Sequence, residues 1–393
     1  MLTIPQEKNK TMETNKPIKI NLTGNKSQNI KVSPGQGSFS IGPADKNGKK
    51  FDAFADINDV IDWHVFDTYY TPAGSHWPRF FYYAGNDSGF IKWSVERPID
   101  DFHWFPTQPM EIDFTNADIR RLFIDIGTGG MKINTGAKTR LLGISGHLSN
   151  LVFGKSDNIP ALSFSPEMGK ITERPYNLPA FPTLSATTAL TISCNPLGQA
   201  FDCNCLLQFP HLEQLSLHGN FYNFQILEKL KKLRYIALRY VPDLSKFPAL
   251  SVWENLQSFI GWNIEEQNGK LLKAALKALS KEKKLEYSSV SKLRKVVWFT
   301  SEYGLPFSGW EEKNAKKAIR VYRLVQKEIT KAKTTDDVKI AIEQFIAGIN
   351  NLPGMETTER EDAATAALQL AAYSSLQIPD ETTLQWFNQY SDF

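Results

Sequence analysis

Cysteine, long apolar segments and net charge are all scarce in this sequence. The three cysteines, Cys194, Cys203 and Cys205, are too few and too close together to form a disulfide framework. No run of about 18 apolar residues is present, which excludes a transmembrane helix. The N-terminus, MLTIPQEKNKTMETNKP, lacks the apolar core of a secretory signal. We therefore expect a cytoplasmic protein that does not bind a membrane.

The motifs of common enzyme and metal sites are also missing. The chain contains no G-x-S-x-G, H-E-x-x-H or C-x-x-C pattern, so no nucleophile or metal-ligand pair stands out. Cys203 and Cys205 form a single C-x-C, and with Cys194 and His211 they fall short of the paired ligands of a structural zinc site. We expect these cysteines to be small buried residues. The sequence thus predicts a non-enzymatic protein with no catalytic residue, no cofactor and no metal.

Charge is unevenly distributed, although the net charge of +3 on 393 residues is small. Residues 270–333 contain 17 Lys or Arg and 6 Asp or Glu, whereas residues 354–393 contain 7 acids and a single base, Arg360. A basic face would bind nucleic acid in a salt-dependent manner. Helical lysines are more often simply solvated, so we disfavour nucleic acid as the partner. A nucleic-acid-associated factor that uses the basic helices 270–333 remains an alternative function.

A repeated pattern of short apolar segments is what the sequence does contain. In HLEQLSLHGN, the residues Leu212, Leu215, Leu217 and Asn220 follow the spacing L-x-x-L-x-L-x-x-N. Seven segments carry this pattern or part of it, and their anchor residues are Leu122, Leu142, Leu162, Leu190, Leu215, Ile236 and Phe259. Successive anchors are 20, 20, 28, 25, 21 and 23 residues apart. These gaps match the period of roughly 20–29 residues that is typical of leucine-rich repeats.

The spacing has a physical consequence for the fold. Each apolar-x-apolar pair is a brief strand whose alternate side chains point inward. A single repeat cannot bury its own apolar face, so neighbouring repeats stack and share one core. The pattern resembles that of irregular bacterial leucine-rich repeat proteins over about residues 116–300. The resemblance implies an α/β protein with a leucine-rich-repeat solenoid and a parallel, concave sheet.

The flanking regions differ in composition from the repeats. We predict a disordered tail at 1–16, a β-rich aromatic N-terminal cap at 17–115, the repeat domain at 116–305 and a helical C-terminal domain at 306–393.

The cap is rich in aromatic residues, among them Trp63, Trp77, Trp93 and Trp104. We favour an aromatic core, because large aromatic side chains dominate cores; the alternative is a carbohydrate-binding or peptide-binding platform. His64, His76 and His103 lie beside or close to tryptophans, and we expect them in the same core.

The C-terminal region has helical periodicity. In WEEKNAKKAIRVYRLVQKEI the apolar residues recur at steps of three and four, and Thr358 with Glu361 has the spacing of a capping box. The arrangement E-x-F-x-x-x-I-N-x-L, then E-T-x-E-R-E-D and a closing W-F, spans Ala341 to Phe393. It is similar to the helical tail of bacterial immunity and partner-binding proteins that accompany toxins. The resemblance implies a protein partner that the chain neutralises.

Alternation along each strand also predicts which side chains face outward. The outward residues between the two inward ones are Phe123, Gly143, Ser163, Thr191, Ser216, Ala237 and Ile260. The later repeats add Tyr235, Arg239 and Trp262, which are residue types enriched in interface hot spots, with Gln214 and His218 at the margin. We therefore predict that these five residues bind a protein partner on the concave repeat face. In the alternative interpretation, the C-terminal helices fold over this patch.

Overall fold

The computed structural model describes residues 17–24, 27–31, 37–44, 51–69, 71, 74–154, 158–168, 172, 174–295, 298–299, 307 and 310–392. This part of the chain forms two compact units. The first contains the described residues up to Ile264 together with Asn268–Leu293, and the second contains Glu265–Gln267 and the described residues from Arg294 onward. The predicted tail at 1–16 and the predicted boundary at 305/306 lie outside the described residues.

The strands of the described residues are β1 (Pro17–Asn21), β2 (Ser27–Lys31), β3 (Ser38–Gly42), β4 (Ala53–Phe54), β5 (Phe80–Tyr83), β6 (Ile99–Trp104), β7 (Met110–Asp113), β8 (Ile119–Asp125), β9 (Met131–Asn134), β10 (Leu141–Gly146), β11 (Leu151–Phe153), β12 (Ala161–Pro166), β13 (Ala189–Ser193), β14 (Ala200–Asp202), β15 (Gln214–His218), β16 (Asn220–Tyr222), β17 (Tyr235–Arg239), β18 (Ser258–Trp262) and β19 (Tyr287–Ser291). The α-helices are α1 (Gly89–Ser94), α2 (Glu266–Glu282), α3 (Glu312–Ile329), α4 (Thr335–Ile349), α5 (Thr357–Ala372) and α6 (Asp380–Tyr390). Short 3₁₀ helices cover Trp63–Thr68, Leu148–Asn150, Pro182–Leu184, Cys203–Gln208, Phe224–Lys229 and Leu250–Val252.

A long parallel sheet organises the first unit. Among the described residues it has twelve strands, in the order β19-β18-β17-β15-β13-β12-β10-β8-β6-β5-β3-β4. The seven predicted repeat segments are β8, β10, β12, β13, β15, β17 and β18, which are consecutive neighbours in this sheet and pair in parallel. The predicted α/β class and parallel sheet are thus confirmed. Strands on both sides of the predicted boundary at 115/116, β6 and β8, belong to this sheet.

Alternation of side chains explains why these segments form strands. The seven anchor residues are register partners of one another and are at most 2% exposed. The inward row continues into β6 and β5 with Phe102 and Phe81. On β18 the second inward position is Gly261, where a Cβ would lie 2.9 Å from Cδ1 of Ile264. Ile264 thus packs close to Gly261, the inward position of β18 that has no side chain.

Further parallel strands lie in the chain between some strands of the main sheet. The strands β7, β9 and β11 form one parallel sheet, and β14 pairs with β16. Asn220, the predicted terminal asparagine of its repeat, donates from its side-chain amide to the carbonyl of Gly198, one repeat earlier. Consecutive repeats are therefore joined by hydrogen bonds at the turns as well as along the strands.

The aromatic residues of the N-terminal region form part of the core of the first unit. Trp63, Trp93 and Trp104 are at most 3% exposed, and Trp77 is half-buried. The Trp63 ring makes edge or tilted contacts with several neighbouring rings, including Phe81 at 5.8 Å. Buried rings of this kind stabilise a core and offer no surface to a sugar.

The expectation that three histidines lie in this aromatic core is wrong. His64 and His76 are exposed, and His103 is half-buried on the outward face of β6. Residues adjacent in a strand point to opposite faces, so the inward Phe102 and Trp104 on either side turn His103 away from the core. Proximity to tryptophan in the sequence therefore does not place a histidine in the core, because neighbouring residues of a strand face opposite sides.

The helices α3 to α6 form the core of the second unit. Tyr322, Val325 and Ile329 on α3 are buried, as the helical period predicts, and they pack in one apolar cluster with residues of the three helices that follow. Thr334 caps α4 through a capping box with Asp337. At α5 the predicted capping pair is wrong by two positions: Glu356 and Glu359 form the capping box, because the helix begins at Thr357.

Neighbouring residues of β15 offer a direct test of the inward and outward assignment. Leu217 is fully buried, whereas Ser216 is half-buried on the opposite face. We expect Leu217→Ala to lower the free energy of unfolding of the first unit by about 2–5 kcal/mol, because it removes buried methyl groups and leaves a cavity. Ser216→Ala should change it by less than about 0.5 kcal/mol. Urea denaturation followed by circular dichroism measures both; equal losses would contradict the assignment.

Candidate functional site

The predicted partner-binding residues lie on the outward face of three neighbouring strands. Gln214 on β15 pairs in register with Tyr235 on β17, and His218 on β15 pairs with Arg239 on β17. Arg239 in turn pairs with Trp262 on β18. The parallel register therefore brings all five residues into two rows on one face, and we call this set the five-residue patch.

Exposure within the five-residue patch is graded. Gln214 and Arg239 are exposed, whereas His218, Tyr235 and Trp262 are half-buried. Between the two rows lie Ser216, Ala237 and Ile260, which are also half-buried. The patch thus has a middle row of serine, alanine and isoleucine between two rows of aromatic and polar side chains, a mixture that is also found in protein interfaces.

Trp262 is held in place from two sides. The guanidinium of Arg239 lies 6.0 Å from the centre of the Trp262 ring, at the limit of a cation–π contact. The Tyr240 ring meets the same indole edge-on, with 5.2 Å between ring centres and an angle of 83° between the planes. These two side chains hold the indole in a fixed orientation on a strand, which would lower the entropy lost on binding a partner there.

Tyr235 is anchored by the chain segment that precedes β19. Its hydroxyl donates to Oε2 of Glu286 at 3.3 Å, and the guanidinium of Arg234 lies 5.8 Å from the centre of its ring. The ring therefore keeps an amphipathic position, with its polar end in a hydrogen bond and one edge available at the surface.

His218 is uncharged at neutral pH. Burial, with a smaller effect of the positive charge of Arg239, lowers the pKa of His218 from 6.5 to about 4. At neutral pH the imidazole therefore offers one N–H donor and one acceptor nitrogen rather than a second positive charge beside Arg239.

Other residues singled out from the sequence lie apart from the five-residue patch. Cys194 and Cys203 are buried in the core and Cys205 is half-buried; burial raises the pKa of the Cys194 thiol to about 12. In the described part of the chain, no group of three or more His, Cys, Asp or Glu side chains is arranged to hold a metal ion. No helix of the same residues is long and apolar enough to cross a bilayer.

The basic stretch 270–333 is divided between the two units. Most of α2 belongs to the first unit and α3 belongs to the second. On α2, four lysines recur at steps of three or four residues and are exposed: Lys270, Lys273, Lys277 and Lys281. Several residues between the two helices lie outside the described residues, so the stretch is not described as one continuous surface.

The same outward face contains a feature that the sequence reasoning missed. Tyr82, His103 and Phe123 are register partners on β5, β6 and β8. Their rings are stacked, with centres 4.3 Å and 4.6 Å apart. Phe123 was recognised as outward, but His103 was assigned to the core and β5 and β6 to a separate cap. No pattern in the sequence indicates the stack, because FFYY carries aromatic residues on both faces of its strand and so hides the period of two.

No family model, curated protein or solved structure matches this chain.

The lowered pKa of His218 predicts a pH-dependent stability. Between about pH 4 and 6.5 the unfolded chain binds a proton at His218 that the folded chain does not, so acidification through this window favours unfolding. We expect NMR titration of the imidazole to give a pKa near 4. Arg239→Ala should raise it by removing the neighbouring charge, and should flatten the fall in stability measured by urea denaturation. A titration near 6.5 in the native protein would contradict the burial of this ring.

Proposed function

We propose that the chain is a leucine-rich-repeat solenoid that acts as a non-enzymatic scaffold and binds a protein partner through the concave, outward face of its sheet. The observation that carries the proposal is the row His218, Arg239 and Trp262 on three consecutive strands. A neutral imidazole, a guanidinium and an indole are thereby presented side by side by a rigid element. Aromatic and arginine side chains of this kind dominate the binding energy of protein interfaces.

The solenoid part of the proposal is supported by the order of the strands. Each repeat adds one strand beside the previous one, and the chain returns through a turn behind the sheet. Repeat proteins of this construction use the extended face of their sheet as a binding surface rather than for one chemistry.

The small side chains in the middle of the outward face leave room for a large partner to approach. The outward positions there are occupied by small residues: Gly143, Ser145, Ser163, Ser165, Thr191 and Ser193. Small side chains leave the backbone close to the surface and allow a partner to approach it. Taken with the likeness of Ala341–Phe393 to toxin-immunity proteins, this favours a cytoplasmic partner that the chain neutralises, with a toxin as the first class to test.

Two substitutions in the five-residue patch separate binding from folding. Arg239→Ala and Tyr235→Ala should leave the melting temperature almost unchanged, because exposed ion–ring and hydroxyl contacts contribute little to stability. Each should weaken capture of the partner at least about tenfold, the loss expected when a hot-spot residue is truncated. The partner is first identified by mass spectrometry after co-purification with the wild-type chain, and its affinity for each variant is then measured.

Lys231→Ala is the matched control. Lys231 is exposed in the turn before β17 and lies outside the patch, so its loss should change neither the melting temperature nor the affinity. A large fall in melting temperature for Arg239→Ala or Tyr235→Ala would support the alternative in which the patch is covered within the molecule. Equal affinity of all three variants would refute the patch as the binding site.

A further inference from the structure

The stack of Tyr82, His103 and Phe123 ends abruptly on the outward face. The next register position after Phe123 is Gly143 on β10, and the one after that is Ser163 on β12. A Cβ built on Gly143 would lie 2.4 Å from Cδ1 of Phe123, so the Phe123 ring lies where a larger residue would place its side chain. The stack therefore has an open end.

A cleft of about 270 Å³ lies at this open end. Its aromatic wall consists of Phe123 and the exposed Phe105, and small hydroxyl side chains border the rest: Ser145, Ser163 and Ser165. Neighbouring strands are about 4.8 Å apart, so the two strands beyond Phe123 give the cleft the width of one additional flat group in the stack.

One acidic side chain is present among the described residues that line the cleft. Asp125 follows Phe123 on β8 and is half-buried, and its Oδ1 accepts the N–H of Gly127 at 2.9 Å. Among the described residues that line the cleft, none is a lysine or an arginine. The guanidinium of the nearby Arg121 lies 2.7 Å from Asp101, which compensates its charge. The cleft thus combines a carboxylate, hydroxyl groups and an aromatic plane, with no lysine or arginine among the residues that line it.

Burial of His103 disfavours a positive charge that would repel a cation bound in this cleft. Burial lowers the pKa of His103 below 6.5, although the neighbouring Asp101 acts in the opposite direction and Arg121 adds a smaller lowering effect. Burial thus favours the neutral form of the ring behind Phe123, which preserves the negative potential that attracts cations to the face of the stack.

We propose that this cleft binds the guanidinium group of an arginine side chain on a partner protein, stacked on Phe123 and hydrogen-bonded to Asp125. Guanidinium is planar, always charged and rich in N–H donors, so it fits between an aromatic face and a carboxylate better than an ammonium does. The inference rests on the proposed function in taking the partner to be a protein, but it involves none of the residues of the five-residue patch.

Binding is tested with small peptides on the full chain. The probes are acetyl-Gly-Arg-Gly-amide and its citrulline analogue, which keeps the planar shape but has no charge. We expect the arginine peptide to shift the backbone amide signals of Gly143, Ser145 and Ser163 in NMR titrations of the isotopically labelled protein. The citrulline peptide should bind at least about tenfold more weakly, because it lacks the cation.

Two substitutions test whether the arginine peptide binds in the cleft. Asp125→Asn keeps an oxygen that accepts the Gly127 N–H but removes the charge, and it should weaken the arginine peptide about tenfold without altering the melting temperature. Phe123→Leu keeps an apolar side chain but removes the ring plane, and it should also weaken binding. Lys231→Ala should leave binding unchanged.

Several outcomes would overturn the proposal. Equal binding of the arginine and citrulline peptides, or of a lysine peptide, would show that the site does not select a planar cation. Equal shifts with methyl glucoside would indicate a sugar site instead, and the absence of shifts at these amides would show that the cleft is not a site. None of these results affects the test of Arg239 and Tyr235, so the two proposals fail separately.

Discussion

The backbone hydrogen bonds between parallel strands in register are the constraint on which the rest of this structure depends. Once Leu122 is opposite Leu142, every later residue of β10 has a fixed neighbour on β8, and the same holds from strand to strand along the sheet. Because the side-chain period is two, the register fixes the inward and outward rows together. A shift by one residue would place the leucines in water and the serines in the core. The buried anchors therefore fix the alignment of Arg239 with Trp262, although neither lies in the core.

Polar side chains also form contacts with residues that lie about one repeat away in the sequence. Asp100 accepts from Arg79 and Arg120, which lie about one repeat before and after it. The buried Gln199 accepts the N–H of Thr172 and donates to the carbonyl of Arg174, so its amide satisfies backbone groups of the previous turn. Turns that leave a sheet have backbone groups without partners, and a buried group of that kind is costly unless it is paired. Gln199 meets this requirement for backbone groups in the gap of 28 residues between the anchors Leu162 and Leu190, the longest of gaps that range from 20 to 28 residues.

The sequence predicted the part of the sheet in which apolar and small polar residues alternate, and it failed where that contrast is absent. The segments from β8 to β18 show an apolar residue at a regular spacing, and in β13, β15 and β17 leucine and isoleucine alternate with threonine, serine or alanine. In β5 both faces carry aromatic residues, as FFYY shows, so the period of two is hidden and these strands were assigned to a separate cap. In β19, YSSVS has only Val290 as a buried residue, and the repeat pattern does not reach it. The five-residue patch followed from alternation alone, whereas the ring stack depends on pairing between strands, which a single sequence does not reveal.

Two parts of the outward face differ in charge, and this difference would constrain how the proposed partner lies on it. Asp125 and Arg239 occupy the same outward row, five strands apart, which is about 24 Å at the usual spacing between strands. The residues of this row on the three strands nearest to Asp125 are Ser145, Ser165 and Ser193, which carry no charge. A partner that spans the row therefore meets a carboxylate at one end and a guanidinium beside an indole at the other. Charges of opposite sign at the two ends fix the direction of binding more effectively than they raise affinity, because a reversed partner would place like charges together. The uncharged residues between Asp125 and Arg239 would supply contact area, and the two charged residues would determine the direction in which the partner lies.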